Sequence, residues 1–289
     1  MRDQAEKLRM KMLERQGALG RSIAVVSGKG GVGKSNFTTN FAINLAKRGK
    51  KVVILDMDLG MANVHILIGK QAQYNLKDYL EGHVSFEEII YAGPQDIHYI
   101  SGGSGFSSVI EWSEEMFDAF IHAFEELQKN YDYILFDMGA GATNWALDVV
   151  TSIEEVIVIT TAEPTSITDA YSMMKFIYLK EPSKTFYLLC NRAFSNEEGR
   201  ETLQRLKNAM LKFLSKEVVI LGWLPEDSAV RKAVIEQVPF SISYPNAQIS
   251  KSLHEIVNRF IHKKLGEEIP LPSNSFITRL KRIFSKGRD

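Results

Sequence analysis

Residues 27–35 read Ser27-Gly28-Lys29-Gly30-Gly31-Val32-Gly33-Lys34-Ser35 and lie between an apolar run, residues 23–26, and a helical pattern over residues 35–47. A glycine-rich loop between a strand and a helix is the context that a Walker A motif requires. The glycines let successive backbone amides point at phosphate oxygens, and the helix N-terminus adds the positive end of its dipole. The loop therefore predicts an α/β protein that binds a nucleoside triphosphate.

The same loop predicts which residues hold the ligand. Lys34 should reach the β- and γ-phosphates, and the Ser35 hydroxyl should ligate Mg²⁺, because these are the roles of the last two motif positions. The predicted cofactor-binding residues of this segment are Gly28, Lys29, Gly30, Gly31, Val32, Gly33, Lys34, Ser35 and Asn36.

Short apolar runs alternate with helical patterns along the rest of the chain. The predicted strands are residues 22–26, 52–55, 98–100, 133–136, 156–160, 186–190 and 218–221. The clearest predicted helices are residues 35–47, 114–129, 169–179, 198–214 and 250–265. Continuously apolar strands are typical of a parallel sheet that is covered on both faces. We expect a doubly wound, mostly parallel sheet flanked by helices, with right-handed crossovers.

Three segments are predicted from this pattern. Residues 21–265 should form the α/β domain. Residues 1–20 have a charged helical pattern that ends at Gly17 and Gly20, and residues 266–289 combine a linker rich in proline, serine and acidic residues with one more amphipathic helix. We expect an N-terminal helix with its linker, a central domain, and a C-terminal linker with its helix.

Composition excludes several classes of protein. The chain has 289 residues, 45% hydrophobic and 24% charged, as expected for a globular protein with a sizeable core. Lys plus Arg equals Asp plus Glu, 35 each, which disfavours a nucleic-acid partner. One cysteine, Cys190, permits no internal disulfide and no cysteine-rich metal site, and six scattered histidines indicate no metal role. Without an apolar signal segment or spanning run, a cytoplasmic location is expected.

The second lysine of the loop carries a resemblance. The order Gly-Lys-Gly-Gly-Val-Gly-Lys-Ser over residues 28–35 resembles the deviant Walker A motif of the MinD/ParA/Mrp/NifH superfamily of P-loop ATPases. The resemblance implies that Lys29 reaches across an ATP-dependent homodimer interface to the other subunit's phosphates, where it supplies the charge that an arginine finger provides elsewhere. Lys29 and Lys34 are therefore both predicted catalytic residues.

Two carboxylate segments extend the resemblance. Asp56-Met57-Asp58-Leu59-Gly60-Met61-Ala62-Asn63 is similar to the first switch of the MinD group, and Asp137-Met138-Gly139-Ala140-Gly141 is similar to its second switch, although Met138 departs from the usual Thr or Ser. The resemblance implies that Asp58 orients the attacking water and that Asp56 supports it or the metal. Asp137 is expected to hold Mg²⁺ through water. The predicted metal residues are Ser35, Asp56 and Asp137.

Two further strand ends are similar to the positions that bracket the base in MinD relatives. They are Asn191-Arg192 and Leu224-Pro225-Glu226-Asp227. The resemblance implies a base pocket of Asn191, Arg192, Pro225 and Asp227, with Asn191 bonded to the adenine edge. The guanine signature Asn-Lys-x-Asp is missing from the equivalent strand end, so the predicted cofactors are ATP and ADP with Mg²⁺.

The C-terminal helix has an apolar face flanked by cations. Its predicted membrane-binding residues are Phe276, Ile277, Leu280, Ile283 and Phe284, with Arg279, Lys281 and Arg282 beside them. Such a helix suits the headgroup layer of an anionic membrane. Its position is similar to that of MinD's membrane-targeting helix, which implies a peripheral location at the inner face of the cell membrane when ATP is bound. A helix that packs back on the domain is the alternative.

The N-terminal helix resembles a second family signature. Residues 3–9, Asp3-Gln4-Ala5-Glu6-Lys7-Leu8-Arg9, are similar to the Asp-Gln-Ala-x-x-Leu-Arg motif of the FlhG family, also called FleN or YlxH. The predicted partner-binding residues are Asp3, Gln4, Ala5, Leu8 and Arg9. The resemblance implies control of flagellar number and placement, an FlhF-type signal-recognition-like GTPase as partner, and contacts with flagellar C-ring proteins. A frayed terminal helix without a partner is the alternative.

Other functions remain open within the superfamily. A ParA-type DNA-partitioning ATPase would need a basic surface, and its DNA affinity would fall steeply with salt. A plain MinD-like cell-division positioning ATPase would lack the N-terminal activator. The iron–sulfur branch bridges a cluster with paired cysteines, which one cysteine disfavours, and a bacterial tyrosine kinase would carry a tyrosine-rich tail that this sequence lacks.

Overall fold

The computed structural model describes residues 19–58, 63–102, 113–141 and 144–262. Its strands form one eight-stranded sheet in the order β3-β4-β2-β5-β1-β6-β7-β8. The strands are β1 Arg21–Val26, β2 Val52–Met57, β3 Tyr91–Ala92, β4 His98–Ile100, β5 Tyr133–Met138, β6 Glu155–Thr160, β7 Thr185–Ala193 and β8 Val219–Pro225. All neighbouring strands are parallel except the edge pair β3 and β4.

Helices follow most strands. They are α1 Lys34–Ala46, α2 Val64–Leu67, α3 Leu76–Leu80, α4 Glu114–Asn130, α5 Asn144–Ser152, α6 Pro164–Lys180, α7 Asn196–Leu214, α8 Ser228–Glu236, α9 Phe240–Ser243 and α10 Gln248–His262. Short 3₁₀ turns cover Glu87–Ile89 and Pro94–Asp96. Among the described residues, no helix is both long enough and apolar enough to cross a membrane.

The predicted fold class is confirmed, with local differences. The two-residue strand β3 was not predicted, and β7 and β8 continue to Ala193 and Pro225, beyond their predicted ends. Helix α6 begins five residues earlier than predicted, because Pro164 occupies its first turn, where a missing N–H is harmless. The last predicted helix is present as α10, and the final three of its predicted residues lie outside the described ranges.

Apolar side chains leave the central strands toward both faces, as strand geometry requires. One core contains Ala24, Leu55 and Phe136 with residues of α4 to α7, and the other contains Val25, Ile54 and Leu135 with residues of α1, α8 and α10. The sheet is therefore covered on both sides, which explains why its strands read as unbroken apolar runs.

Strand β1 is where the sheet order reverses. Chain connections from β1 run to β2 on one side, whereas β6, β7 and β8 follow in sequence on the other side. In open α/β sheets a ligand binds at this reversal, outside the carboxyl ends of the strands. The register pairs Val25 with Asp137 and Asp56 with Asp137, so the two predicted metal carboxylates lie on adjacent strands beside the loop after β1.

A partly buried ion pair lies at the amino ends of the central strands, opposite the phosphate loop. Arg21, the first residue of β1, donates from Nε and Nη2 to the Glu155 carboxylate at 3.0 and 2.8 Å, and from Nη1 to the Tyr133 hydroxyl at 3.1 Å. Its guanidinium also lies over the Phe260 ring, 4.7 Å from the centroid. This cluster joins the start of β1 to the last turn of α10. The first strand and the last helix of the domain therefore meet at the amino ends of the central strands.

Candidate nucleotide-binding site

The loop between β1 and α1 has the backbone that its glycines permit. Gly33 precedes α1 with φ of 89°, a left-handed conformation that side chains rarely adopt. A Cβ at Gly33 would lie 2.4 Å from Asn191 Nδ2, and a Cβ at Gly28 would lie 2.1 Å from the Asp169 carbonyl carbon. Both positions therefore require glycine. Gly33 requires it because of its backbone conformation and the nearby Asn191, and Gly28 requires it because α6 approaches the loop closely.

Asp137 is the centre of the phosphate end of the site. The residue is fully buried, its Oδ1 accepts a hydrogen bond from Thr38 Oγ1 at 3.1 Å, and Lys34 Nζ lies 3.9 Å from the same oxygen. The Ser35 hydroxyl is also bonded to this carboxylate. Burial raises the pKa of Asp137, and Lys34, Ser35 and Thr38 oppose the rise. Three side chains of α1 thus converge on one carboxylate.

The second carboxylate oxygen fits a hydrated cation. Asp137 Oδ2 is buried and has no hydrogen-bond partner among the described residues, although buried polar atoms are almost always satisfied. Carboxylate and hydroxyl oxygens are the ligands that Mg²⁺ prefers, and it usually keeps several waters. The Ser35 and Asp137 donor set is therefore suited to Mg²⁺.

Asp56 braces the first switch segment. Its Oδ1 accepts the Asp58 N–H at 3.2 Å, and its Oδ2 accepts the N–H groups of Asn63 and Val64 at 2.8 and 3.0 Å. Burial, followed by the charge of Asp137, raises the pKa of Asp56 to about 7. The side chain thus ties the end of β2 to the start of α2, on either side of residues 59–62.

Asp58 lies where the two switch segments meet. A Cβ at Gly139 would be 3.7 Å from both Asp58 Cα and Asp58 Oδ1, which is ordinary contact distance. Asp58 therefore lies at the carboxyl edge of the sheet, next to the second switch and one residue beyond β2.

Lys29 is directed away from its own phosphate loop. Its Nζ donates to Glu163 Oε2 at 2.8 Å, and both side chains are well exposed. The hydrogen bond from Lys29 lowers the pKa of Glu163, which immediately precedes α6. Exposed ion pairs of this kind exchange partners readily, because water and salt screen them.

A pocket of about 490 Å³ opens beside the loop. Its volume is within the range of small-molecule sites. It is lined by Gly31, Gly33, Asn36, Phe37, Asn191, Arg192, Leu224, Pro225, Glu226, Asp227, Ser228, Val230, Arg231, Phe240 and Ile249. The four residues predicted for the base pocket are all among them.

These four residues have different surroundings. Asn191 Nδ2 donates to the Val32 carbonyl at 2.7 Å, so it fastens the phosphate loop. Arg192, with φ of 59°, donates to Glu226 Oε2 at 2.8 Å. Asp227 caps α8 by accepting the Ala229 N–H at 2.9 Å, and its other oxygen accepts the Ile249 N–H at 3.3 Å. Asp227 therefore holds the backbones of α8 and α10 in place beside the pocket.

Several lining residues were missed in the sequence. Phe37, Leu224, Phe240 and Ile249 belong to the core rather than to a motif. Their sequence signal is apolar periodicity, which marks burial and cannot tell a pocket wall from any other core position. The predicted partner-binding residues Asp3 to Arg9 and membrane-binding residues Phe276 to Phe284 lie outside the described residues, so those predictions stay predictions.

Comparison with known proteins decides the family. The ParA family model, described as NUBPL iron-transfer P-loop NTPase, matches residues 18–261. The antiactivator FleN of Pseudomonas aeruginosa is 33% identical over 252 residues, which cover 87% of this chain and 88% of that protein. The chain belongs to the MinD/ParA family of P-loop ATPases, in its FlhG (FleN/YlxH) group.

A second relative and a solved structure agree with this placement. The flagellum site-determining protein YlxH of Helicobacter pylori is 32% identical, over 90% of this chain and 88% of that protein. The septum site-determining protein MinD of Pyrococcus horikoshii, solved with Mg-ADP, superposes with a TM-score of 0.69 at 26% identity and covers 86% of this chain and 100% of that one. As a member of this family, the chain is an ATPase.

Proposed function

We propose that Mg²⁺-ATP is bound and hydrolysed at the carboxyl ends of β1, β2 and β5. The observation that carries this proposal is the grouping of Lys34, Ser35 and Thr38 around the buried Asp137, at the N-terminus of α1. Lys34 and the loop amides hold the phosphates, and Ser35 and Asp137 hold Mg²⁺, with Asp56 behind them. The cation neutralises charge on the phosphate oxygens when it is bound.

Hydrolysis then depends on positioning more than on covalent chemistry. Asp58 accepts a hydrogen bond from a water in line with the γ-phosphorus. The water oxygen bonds to that phosphorus as the bond to the β-phosphate oxygen breaks; one water proton stays on the phosphate and the other goes to solvent, which gives ADP and phosphate. Lys34 stabilises the charge that develops on the transferred group. The position of Asp58 supports this role, because a Cβ at Gly139 would lie 3.7 Å from Asp58 Oδ1, which places Asp58 next to the second switch segment.

We further propose that ATP joins two copies of the chain. Each Lys29 would leave Glu163 and reach the phosphates of the partner subunit. The exposure of both side chains supports the exchange, since a buried pair would resist it. Phosphate oxygens would replace the Glu163 carboxylate as the anionic partner of Lys29, and they carry more negative charge than one carboxylate.

The proposed domain plan separates the switch from its outputs. Residues 21–265 would be the ATPase domain, with activator residues 1–20 and membrane-binding residues 266–289 attached. Arg21 and Phe260 are in contact at the sheet edge opposite the phosphate loop. Both appendages would thus leave the domain from the same side. Two C-terminal helices on one dimer would bind a membrane more firmly than one, through effective concentration.

The cellular role is proposed from the relatives. FleN is named an antiactivator and YlxH a flagellum site-determining protein, which supports regulation of flagellar number and placement by this chain. Its partners would be an FlhF-type GTPase, flagellar C-ring proteins and an anionic membrane at the inner face of the cell. Hydrolysis would release both the dimer and the membrane.

Sedimentation with vesicles tests the switch. Full-length protein is mixed with anionic or neutral vesicles, each with ATP, ADP or no nucleotide. Pelleting should require both ATP and anionic lipid. Lys34→Ala should stay in the supernatant throughout, and a chain truncated after Ser275 should do so while still binding ATP. Equal pelleting in all three nucleotide states would refute a nucleotide-gated membrane switch.

MinD-like positioning of cell division is the second candidate, because MinD structures superpose on this chain. The proposed N-terminal activator separates the two. Iron transfer, named in the family model, is disfavoured because the single cysteine, Cys190, is buried and cannot form a bridging pair.

A further inference from the structure

The one-turn helix α9 forms a wall of the pocket. Phe240, its first residue, is 1% exposed and lines the cavity together with Leu224 and Ile249. A purine ring would pack against such an apolar wall, while the phosphates extend toward the loop after β1. A single helical turn is too short to hold its own geometry, because nucleation of a helix is unfavourable. Phe240 must therefore be positioned by neighbouring elements.

The phosphate-binding helix α1 supplies the contacts that hold α9. Asn40 Oδ1 accepts the backbone N–H of Ser241 at 2.8 Å, and Lys47 Nζ donates to the Ser241 carbonyl at 2.9 Å. Both backbone polar groups of Ser241, the residue that follows Phe240, are thus bonded to side chains, one from Asn40 in α1 and one from Lys47, which caps the C-terminus of α1. Ser250 of α10 adds a weaker bond to the Phe240 carbonyl, at 3.3 Å.

Asn40 is itself held in one orientation. It is 1% exposed, and its Nδ2 donates to the Asn36 carbonyl at 2.8 Å, which leaves Oδ1 directed at Ser241. Reversing the amide would face one donor with another. Removing the acceptor would leave the buried Ser241 N–H unsatisfied and would remove one of the two side-chain bonds that hold Ser241 in place.

We propose that Asn40 is a positioning residue of the base pocket, which holds Phe240 as the wall against which the adenine ring packs. This inference rests on the proposed nucleotide site and adds a device to it. Helix α1 begins with Lys34 and Ser35 beside the phosphates. Through Asn40, the same helix also sets the distance between the phosphate loop and Phe240. Asn40 should therefore govern affinity for the nucleoside part of ATP and leave phosphate binding unchanged.

The test compares two ligands that differ by the nucleoside. Affinities for Mg-ATP and Mg-tripolyphosphate are measured by titration calorimetry on the full chain, alongside KM and kcat. In Asn40→Leu we expect the Kd for ATP and the KM to rise about tenfold, since stacking a base on an aromatic ring contributes one to two powers of ten. The Kd for tripolyphosphate and kcat should stay within about twofold of wild type.

Matched variants separate positioning from general loosening. Asn44→Leu removes the next buried amide of α1, which bonds to the Asn40 carbonyl and, among the described residues, not to α9, and this variant should bind both ligands normally. Asn40→Asp keeps the acceptor for Ser241 but loses the donor to Asn36, so it should recover part of the ATP affinity. Phe240→Leu leaves the backbone bonds of α9 in place and should show the same selective loss of affinity for ATP. This variant replaces Asn40→Leu in the test if Asn40→Leu does not fold.

Two results would overturn the inference. A fall in tripolyphosphate affinity as large as the fall in ATP affinity would mean that Asn40 supports α1 as a whole. Unchanged ATP affinity in both Asn40→Leu and Phe240→Leu would mean that the base binds elsewhere. Wild-type protein that binds neither ligand would instead overturn the nucleotide site, and this inference with it.

Discussion

Replacing Arg21 by methionine should destabilise the protein strongly, although Arg21 is far from the phosphate loop. The Glu155 side chain in this pair is only 5% exposed, and the guanidinium also contacts Tyr133 and Phe260. Removing one partner of a buried ion pair costs about 3–5 kcal/mol, because the other charge stays in a poorly solvated place. The melting temperature should fall by roughly 5–10 °C for a chain of this size.

An exposed pair in the same chain gives the matched control. Arg192 and Glu226 are also 2.8 Å apart, but their side chains are 53% and 40% exposed. Arg192→Met should therefore lower stability by less than about 1 kcal/mol. The two single variants compare ion pairs of equal length in different surroundings, and Arg21 also contacts Tyr133 and Phe260, so burial and these added contacts together should make Arg21→Met the more destabilising change.

Unfolding in urea, measured without nucleotide at several pH values, checks the reasoning. In Arg21→Met the pKa of Glu155 should rise in the folded state above its unfolded value, because burial is no longer opposed by a cation. A raised carboxyl pKa makes the folded state bind more protons, so the variant should recover stability as the pH falls from 8 to 5. Arg21→Met/Glu155→Gln should recover much of the loss at pH 8. Equal losses for Arg21→Met and Arg192→Met, or no recovery in the double variant, would refute this account.

Further predictions concern the switch. Lys34→Ala should lose detectable ATP binding by calorimetry, because the phosphate charge is left uncompensated; tight binding would move the site. Asp58→Ala should bind ATP normally and hydrolyse it at least about 100-fold more slowly in a phosphate-release assay, and normal turnover would assign the water to another acid. Lys29→Ala should bind ATP as a monomer in light scattering, and a normal dimer would reduce Lys29 to a surface residue. A peptide of residues 1–20 should accelerate GTP hydrolysis by an FlhF-type GTPase. Gln4→Ala should abolish the effect, because the Gln4 amide can both donate and accept hydrogen bonds around a water. A peptide without effect would favour the MinD-like function.

Local sequence was sufficient to predict the strand, loop and helix that carry Lys34 and Ser35. The segment from β1 through the loop to Lys34 and Ser35 is contiguous, and its backbone shape follows from its glycines. Asp56, Asp58 and Asp137 were also found in the sequence, because each follows or ends an apolar strand and parallel strands bring their carboxyl ends to one edge. Fold class came from the same alternation of strand and helix.

The tertiary structure alone decided which distant residues meet. Asn40 bonds to Ser241 across 201 positions, Arg21 bonds to Glu155 across 134, and Lys29 reaches Glu163 across 134. These contacts depend on β6 lying beside β1 and on α9 packing against α1, and hydrophobic periodicity carries no information about either neighbour. Short elements such as α9 were also beyond reach, because a four-residue helix spans only about one period of the pattern that marks a helix. A motif can be recognised because its functional residues lie in one contiguous segment. A pocket wall such as Phe240 forms only when folding brings separate segments together.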